Sequence, residues 1–484
     1  MTKKMGVNAA LNLFKTALSI IFPLITYPYI SRILGVENLG KINYTASIVG
    51  YFSLIATLGI STYAIREGGR IRSNSVKLSH LGNQIFTINI LSTVVSYLLL
   101  LLVVWLFIPN REYQILICIQ SLTIVFTTLG VDWINVLFED FLYITIRSIV
   151  IQILSLILMF VLVKTASDLY LYTFISVIGS GISCILNLIY CRKYLKLSLV
   201  WRLDLVKHFK PIMVLFSGGL VISIYANSDM LILEWFKGAY YVGLYAVAAR
   251  VYTILKNLLA SIYSVTIPRL SHLFGEQKID EFKKSYTQIL SVVTLILIPM
   301  SAGLIVLSRE IILFLGGIKF IDATLTLQLL AISLIGAIFG GILTYGLNIP
   351  IGRESVNLTG ALYGIIVNIG ISLLLIPVFK QNGAAAATIA SEFFIVLYNF
   401  LVVRESGKYI DFVIWRKNLI QALLGFFSII IIGFGVKLFV TNSLLLIFSI
   451  TLVGIIVYLL ELKLLKNPLL DHILDMVKHK FRRG

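Results

Sequence analysis

Residues 84–108 read QIFTINILSTVVSYLLLLLVVWLFI, a stretch without a single charged side chain. A helix of about 20 predominantly apolar residues crosses the hydrocarbon core of a bilayer, and this stretch is long enough to do so. The same pattern recurs along the chain. Punctuated by turns and charges, the spans fall at roughly 9–31, 42–64, 84–108, 113–137, 145–163, 170–190, 211–235, 241–266, 287–307, 325–348, 357–378, 384–403, 418–436 and 444–462. The composition agrees. Of 484 residues, 59% are hydrophobic and 13% charged, where soluble domains are about half apolar and about a quarter charged. A soluble fold could not bury this much apolar surface. No connection between spans reaches domain size, so nothing is left for a globular catalytic domain. The chain reads as an all-α, multi-pass membrane protein of fourteen helices.

The formal charge of +18, from 40 Lys and Arg against 22 Asp and Glu, reads as a topology signal rather than a nucleic-acid footprint. With the N-terminus inside, 28 cations fall in inside segments, nine outside and three within spans. That asymmetry predicts both termini in the cytoplasm. All five histidines fall in inside segments. Cys118, Cys184 and Cys191 all sit in apolar stretches without C-x-x-C spacing and predict neither disulfides nor a metal site. The first apolar run lacks a small-residue cleavage site and reads as a retained helix rather than a signal peptide.

The basic stretch 191–210 separates six spans from eight. At a constant offset of 203, Gly35 meets Gly238, Gly40 meets Gly243, Ala46 meets Ala249, Ser61 meets Ser264 and Arg66 meets Arg269. Both segments are a short outer turn followed by a helix ending at an inside Arg. The economical reading is a duplicated six-helix bundle, 1–190 and 211–403, joined by the basic cytoplasmic linker 191–210. Helices 13 and 14 follow (404–463), then a basic amphipathic tail (464–484) suited to anionic membrane lipid.

The spans contain no phosphate-binding loop, dinucleotide fingerprint, zinc-protease helix or nucleophile elbow. The reading is therefore a non-enzyme, and transport would draw on an ion gradient, the membrane potential or the substrate's own gradient. In the eighth span Arg250, Thr253, Asn257, Ser261 and Ser264 share one helical face. A polar stripe along a spanning helix belongs on a water-filled cavity or a helix seam. Lys256 lies about 120° from it. The first span carries a similar stripe, Asn8, Asn12, Lys15, Ser19 and Thr26, with Pro23 and Pro28 placed to bend the helix. Together these predict a cationic central cavity, and Arg250, which cannot shed its proton, suits a phosphate or carboxylate. Snorkelling of Lys15 and an ion pair between Arg250 and Asp229 are the structural alternatives. Asp132, Asp229 and Glu392 are the intramembrane acids. They are candidates for coupling to Na+ or H+, with a protonated, hydrogen-bonded glutamate as the alternative for Glu392.

Four segments carry a family likeness: Gly238–Arg250 (GAYYVGLYAVAAR), Gly35–Tyr44 (GVENLGKINY), Asp132–Arg147 (DWINVLFEDFLYITIR) and Gly383–Glu392 (GAAAATIASE). They resemble the Wzx-type O-antigen and capsular polysaccharide flippases of the multidrug/oligosaccharidyl-lipid/polysaccharide exporter superfamily. Asn135-Val136 departs from the Phe/Tyr-Gln of such flippases. The resemblance implies two six-helix bundles around a cavity opening alternately to each side of the bacterial cytoplasmic membrane. It also implies an undecaprenyl-pyrophosphate-linked oligosaccharide as substrate, with glycosyltransferases and a polymerase of the same pathway as partners, and no cofactor or nucleic acid. Arg250 and Lys15 would then meet the pyrophosphate, and helices 13–14 would offer the tail a groove. A lipid II flippase, a multidrug/cation antiporter and, from another class, a membrane-embedded polysaccharide polymerase or ligase are the alternatives.

Overall fold

One glycine divides the first apolar helix. Gly35 has φ 78° and ψ 179°, a region open essentially to glycine alone, so the continuous run Thr2–Thr57 (α1) is two helices meeting at a break. The computed structural model describes residues 2–471 except 203, 404 and 405; the side chains of 2–20, 205–206, 264–265 and 406 lie outside that description. Then come α2 (Ile60–Ile71), α3 (Ser75–Phe107), α4 (Arg111–Leu129), α5 (Asp132–Leu137), α6 (Phe141–Leu162), α7 (Leu169–Cys191) and α8 (Leu205–Lys237). The second part of the chain holds α9 (Ala239–Gly275), α10 (Ile279–Gly316), α11 (Thr324–Gly341), α12 (Glu354–Phe379), α13 (Gln381–Val402), α14 (Phe412–Lys437) and α15 (Ser443–Leu464). No strand forms among the described residues. Side-chain caps fix several helix starts: Asn74 accepts from the backbone N–H of Lys77, Asn110 from Glu112, and Asn442 from Leu444 and Leu445.

Among the described residues, thirteen helical stretches are long and apolar enough to cross a membrane, the first running over Ile21–Ile71. The break at Gly35 makes that first stretch two helices, which restores the fourteen expected from the sequence. The chain is a multi-pass membrane protein.

The chain packs as two units, residues 1–243 and 244–484. The sequence reading divides the bundles at 191–210, whereas packing divides them inside α9. Residues 191–210 are bound to the first unit, and α8 after them packs on α1 and α2 of the same unit. Leu195 is buried, and a Cβ on Gly82 would lie 2.4 Å from its side chain. His208, read as an inside histidine, is buried with Nδ1 2.7 Å from the Tyr63 hydroxyl.

In the first unit, one apolar core gathers Ile48, Phe52, Leu100, Ile117 and Ile124, and another gathers Tyr63, Leu81, Trp133, Ile134 and Ile212. In it the two glycine-led repeats also cross. Gly238 has φ 84° and ψ 174°, nearly the geometry of Gly35. A Cβ on Gly40 would lie 1.7 Å from the Ala239 carbonyl oxygen, and one on Gly243 would lie 2.1 Å from that of Val36. Adding 203 to 36 and 40 gives 239 and 243, so the two contacts are one contact repeated with the partners exchanged.

In the second unit, α10 is the central helix, 67% of its spanning window being buried against 17% for α15. Small residues let helices close on one another: Gly433 of α14 lies under Val306 of α10, and Gly425 of α14 under Tyr458 of α15. At one end, Lys437 on α14 donates to the Val306 carbonyl at 2.6 Å and pairs with Glu310 on α10 at 3.1 Å. The expected tail helix begins differently from its reading. Leu469 and Leu470 pack against Leu295, Ile298, Ala422 and Leu462, because that cluster offers apolar cover within the unit. Ile473, Leu474, Val477 and Phe481 lie outside the described residues.

Candidate functional site

The polar stripe of α9 is uncovered. Arg250, Thr253, Asn257 and Ser261 are all exposed, while Tyr252, Leu259 and Tyr263 on the other side are buried. Among the described residues Arg250 makes no hydrogen bond or ion pair. A spanning helix with such a face requires water or polar partners along it. Ser264 falls outside the described residues, as do Asn8, Asn12, Lys15 and Ser19 of the corresponding stripe on α1. Thr26 is described and turns its hydroxyl to the Phe22 carbonyl at 3.1 Å.

Lys256 leaves the stripe and points at α13. Its ammonium donates to Glu392 Oε1 at 2.7 Å and to the Tyr252 hydroxyl at 3.3 Å; that hydroxyl itself donates to Glu392 Oε1 at 2.9 Å. The carboxylate side is almost closed, 6% exposed, whereas the lysine is 32% exposed. Glu392 is thus neither isolated nor satisfied by neutral groups alone. Its site depends on small residues: Gly336 of α11 lies against Glu392, where an added Cβ would stand 3.0 Å from the Glu392 Cβ. One turn away the Tyr245 and Thr388 hydroxyls lie 3.4 Å apart. Toward the other end of α13, Asn399 accepts from Asn348 at 3.0 Å. Asn348 closes a π-helical segment, Ile342–Asn348, that continues α11. Sequence reasoning named Lys256 and Glu392 separately and missed that they are partners, since 136 residues separate them.

The other acids lie in the first unit. Asp132 accepts from Arg147 Nη2 at 2.9 Å and from Asn187 at 2.8 Å. Arg147, counted as an inside cation, is in fact buried in α6. Asn135, the departure from the flippase pattern, is fully buried and donates to Asn187, and Cys191 Sγ lies 3.0 Å from its amide oxygen. This network ties α5, α6 and α7 together. Asp229 is buried on α8.

Outside the spans, Asp140 sits between α5 and α6 and accepts from the Tyr190 hydroxyl at 2.6 Å, the Tyr194 hydroxyl at 2.8 Å and Lys193 at 3.1 Å. Burial alone would raise its pKa. The two tyrosines and the lysine overcome that and hold it below the ordinary carboxylate value.

The second unit also holds an apolar cavity of about 560 Å³. Leu295, Met300 and Leu307 of α10, Ile429 of α14, and Ile455 and Leu459 of α15 line it. Its walls offer dispersion contacts and almost no hydrogen bonding, which suits a hydrocarbon chain. Among the described residues no group of three or more His, Cys, Asp or Glu gathers that could hold a metal ion.

The chain is similar to several known proteins. A family model described as "Polysaccharide biosynthesis protein" matches residues 5–274. A protein of Shigella dysenteriae described as "Putative O-antigen transporter" is 24% identical over 267 residues, 54% of this chain and 66% of its own, so just under two thirds of that relative is spanned. One of Escherichia coli (strain K12) with the same description is 23% identical over 396 residues, 80% of this chain and 93% of its own. Among solved structures, the lipid II flippase MurJ in an inward closed conformation superposes with a TM-score of 0.73 at 19% identity, covering 96% of this chain and 99% of that one. An inward-facing multidrug resistance MATE family transporter of the MOP superfamily gives 0.59 at 13% identity, covering 79% and 93%. The fold is that of membrane transporters, not of a catalytic enzyme.

Proposed function

Because this chain belongs to the Polysaccharide biosynthesis protein family, we propose that it is a flippase carrying lipid-linked saccharide units across the bacterial cytoplasmic membrane for surface polysaccharide synthesis. In the finer reading, the substrate is an undecaprenyl-pyrophosphate-linked oligosaccharide. It moves from the inner to the outer leaflet by alternating access, with both chain termini in the cytoplasm. Glycosyltransferases would supply it and a polymerase would consume it.

The observation that carries the reading is the uncovered stripe led by Arg250. A pyrophosphate is doubly anionic and rich in acceptors, and a guanidinium that stays charged meets it with paired donors. Thr253, Asn257 and Ser261 continue the same face with groups that exchange hydrogen bonds with sugar hydroxyls. The polyprenyl tail needs no polar path: it stays in lipid, and the mainly apolar cavity lined by α10, α14 and α15 offers a segment of it dispersion contacts. Lys15 and Asn12 are proposed as further anion-binding residues of the first unit.

Lys256 and Glu392 supply the coupling step. An anion arriving near α9 competes with Glu392 for the lysine, which is the more exposed member of the pair. A carboxylate losing its counter-ion in low dielectric then takes up Na+ or H+. Asp132 and Asp229 are the secondary candidates for that role.

The test is Arg250→Ala in cells that make a surface polymer. Polymer is lost while the protein level in the membrane is kept, and Arg250→Lys restores part of it. Unchanged polymer in Arg250→Ala refutes the anion site. The lipid II reading is favoured by the superposition on MurJ over almost the whole chain. It predicts lysis and cell-wall precursor accumulation on depletion rather than loss of surface polymer.

A further inference from the structure

Residues 195–200 form no helix, yet they are held in place along their length. The backbone N–H of Ser198 donates to Asn83 Oδ1 at 2.9 Å, and that of Val200 to Thr87 Oγ1 at 3.1 Å. Gln84 donates to the Arg202 carbonyl at 2.8 Å and accepts from the Asp204 N–H at 3.1 Å. Three polar positions within five residues of α3, Asn83, Gln84 and Thr87, therefore clip an extended strap to its side. Leu195 faces inward beneath the clip and is buried. Leu199 and Trp201 face outward, at 59% and 99% exposure. A tryptophan held at full exposure by a pinned backbone is not an accident of a loose loop.

The depth of this residue follows from α3. Gln84, which holds the backbone beside Trp201, and Trp105 near the other end of the helix are 21 positions apart. At a rise of about 1.5 Å per residue that is about 30 Å, the thickness of the hydrocarbon core. Trp105 is itself 79% exposed, and the exposed apolar face between them starts at Leu91 and runs through Val94, Leu98 and Leu102. Tryptophan concentrates at the two membrane–water interfaces, so Trp105 marks one boundary and Trp201 the other. The strap's charge fits the same place. Arg192, Lys196, Arg202, Lys207 and Lys210 are all exposed, and Asp204 is the one acid in 191–210. Phe209 adds a second exposed ring just beyond it.

We propose that the strap 195–202 anchors the protein in the headgroup layer of an anionic phospholipid leaflet, with Trp201 inserted and the neighbouring cations on the lipid phosphates. The occupant is the bilayer surface rather than a protein, because a single ring at interface depth with cations spread around it matches a lipid surface. This anchor is independent of what the protein transports.

The experiment uses the full-length protein in phosphatidylethanolamine vesicles with and without phosphatidylglycerol. The fluorescence of Trp201 is read as the difference between the wild type and Trp201→Phe, an exposed substitution that leaves the packing untouched. The expected difference signal is blue-shifted from that of tryptophan in water. Phospholipid brominated near its headgroup quenches it by more than half; lipid brominated at the chain ends does so less. Lys196→Glu with Arg202→Glu weakens the quenching in the phosphatidylglycerol vesicles. A difference signal with the emission of tryptophan in water, unquenched by either lipid, overturns the proposal. Equal behaviour with and without phosphatidylglycerol overturns its electrostatic half.

Discussion

Replacing Gly40 by alanine tests the crossing of the repeats most directly. The new Cβ would lie 1.7 Å from the Ala239 carbonyl oxygen, 2.6 Å from its carbon and 2.9 Å from the Gly243 nitrogen. All three are backbone atoms, so no side chain can turn away. Non-bonded heavy atoms sit at about 3.5 Å or more, so the two helices must separate by more than about 1 Å along a line where both are already packed. Overpacking that side chains can absorb costs about 1–3 kcal/mol; here the upper end or beyond is expected, about 3 kcal/mol. Gly243→Ala should behave alike through the Val36 carbonyl, 2.1 Å from its Cβ. The double variant should cost less than the sum, since both widen one crossing. Two controls sort clash from backbone strain. Gly35→Ala meets nothing within 4 Å but keeps φ 78°, and should cost about 1–3 kcal/mol. Gly50→Ala also meets nothing within 4 Å, and in a helix interior should gain about 0.5–1 kcal/mol. Steric-trap unfolding of the purified protein ranks the four. A Gly40→Ala protein as stable as Gly50→Ala would mean that the two helices do not cross there.

Glu392→Gln, which removes the carboxylate charge facing Lys256, should destabilise the protein by about 3 kcal/mol, and Lys256→Met combined with Glu392→Leu should recover most of that. If the pair couples transport, the stable double variant still fails to export polymer; normal export by it removes the coupling role. Asp140 has a pKa held below its ordinary value of 3.8, so its stabilising contribution is present above that value and fades as the pH falls through the folded-state pKa. Unfolding of Asp140→Asn followed from neutral pH down to acid should show the largest deficit at neutral pH, converging on the wild type at low pH; a constant deficit would assign the effect to packing instead. Arg147→Lys should restore part of what Arg147→Ala loses, because Asp132 is reached through the one Nη2 contact at 2.9 Å, which an ammonium can also make; thermal melting of the two variants checks this.

The membrane architecture was legible because hydropathy needs no tertiary knowledge. Even the break at Gly35 was foreshadowed by its match with Gly238, five identities over a fixed offset that proved to share one backbone geometry. The α9 stripe was legible too, since 3.6-residue periodicity places Arg250, Thr253, Asn257 and Ser261 without reference to any neighbour. Pairings across helices were not. Lys256 and Glu392 are 136 residues apart, and no local period connects them. The available signal was that Glu392 is the lone charge of its span, while Lys256 lies off the stripe that Arg250 leads, which is itself a reason to seek a partner. The stretch 191–210 looked like a divider by charge alone. What binds it to the first unit is the Asn83, Gln84 and Thr87 cluster at the start of an otherwise apolar span, and those residues are polar because they have backbone to hold.

The exchanged contact between Val36 with Gly243 and Gly40 with Ala239 limits what can change there. Each glycine is confined by the other repeat's main chain rather than by a side chain that could change with it. No substitution at a neighbouring side chain can make room for a Cβ, so tolerance at this crossing has to come from movement of whole helices.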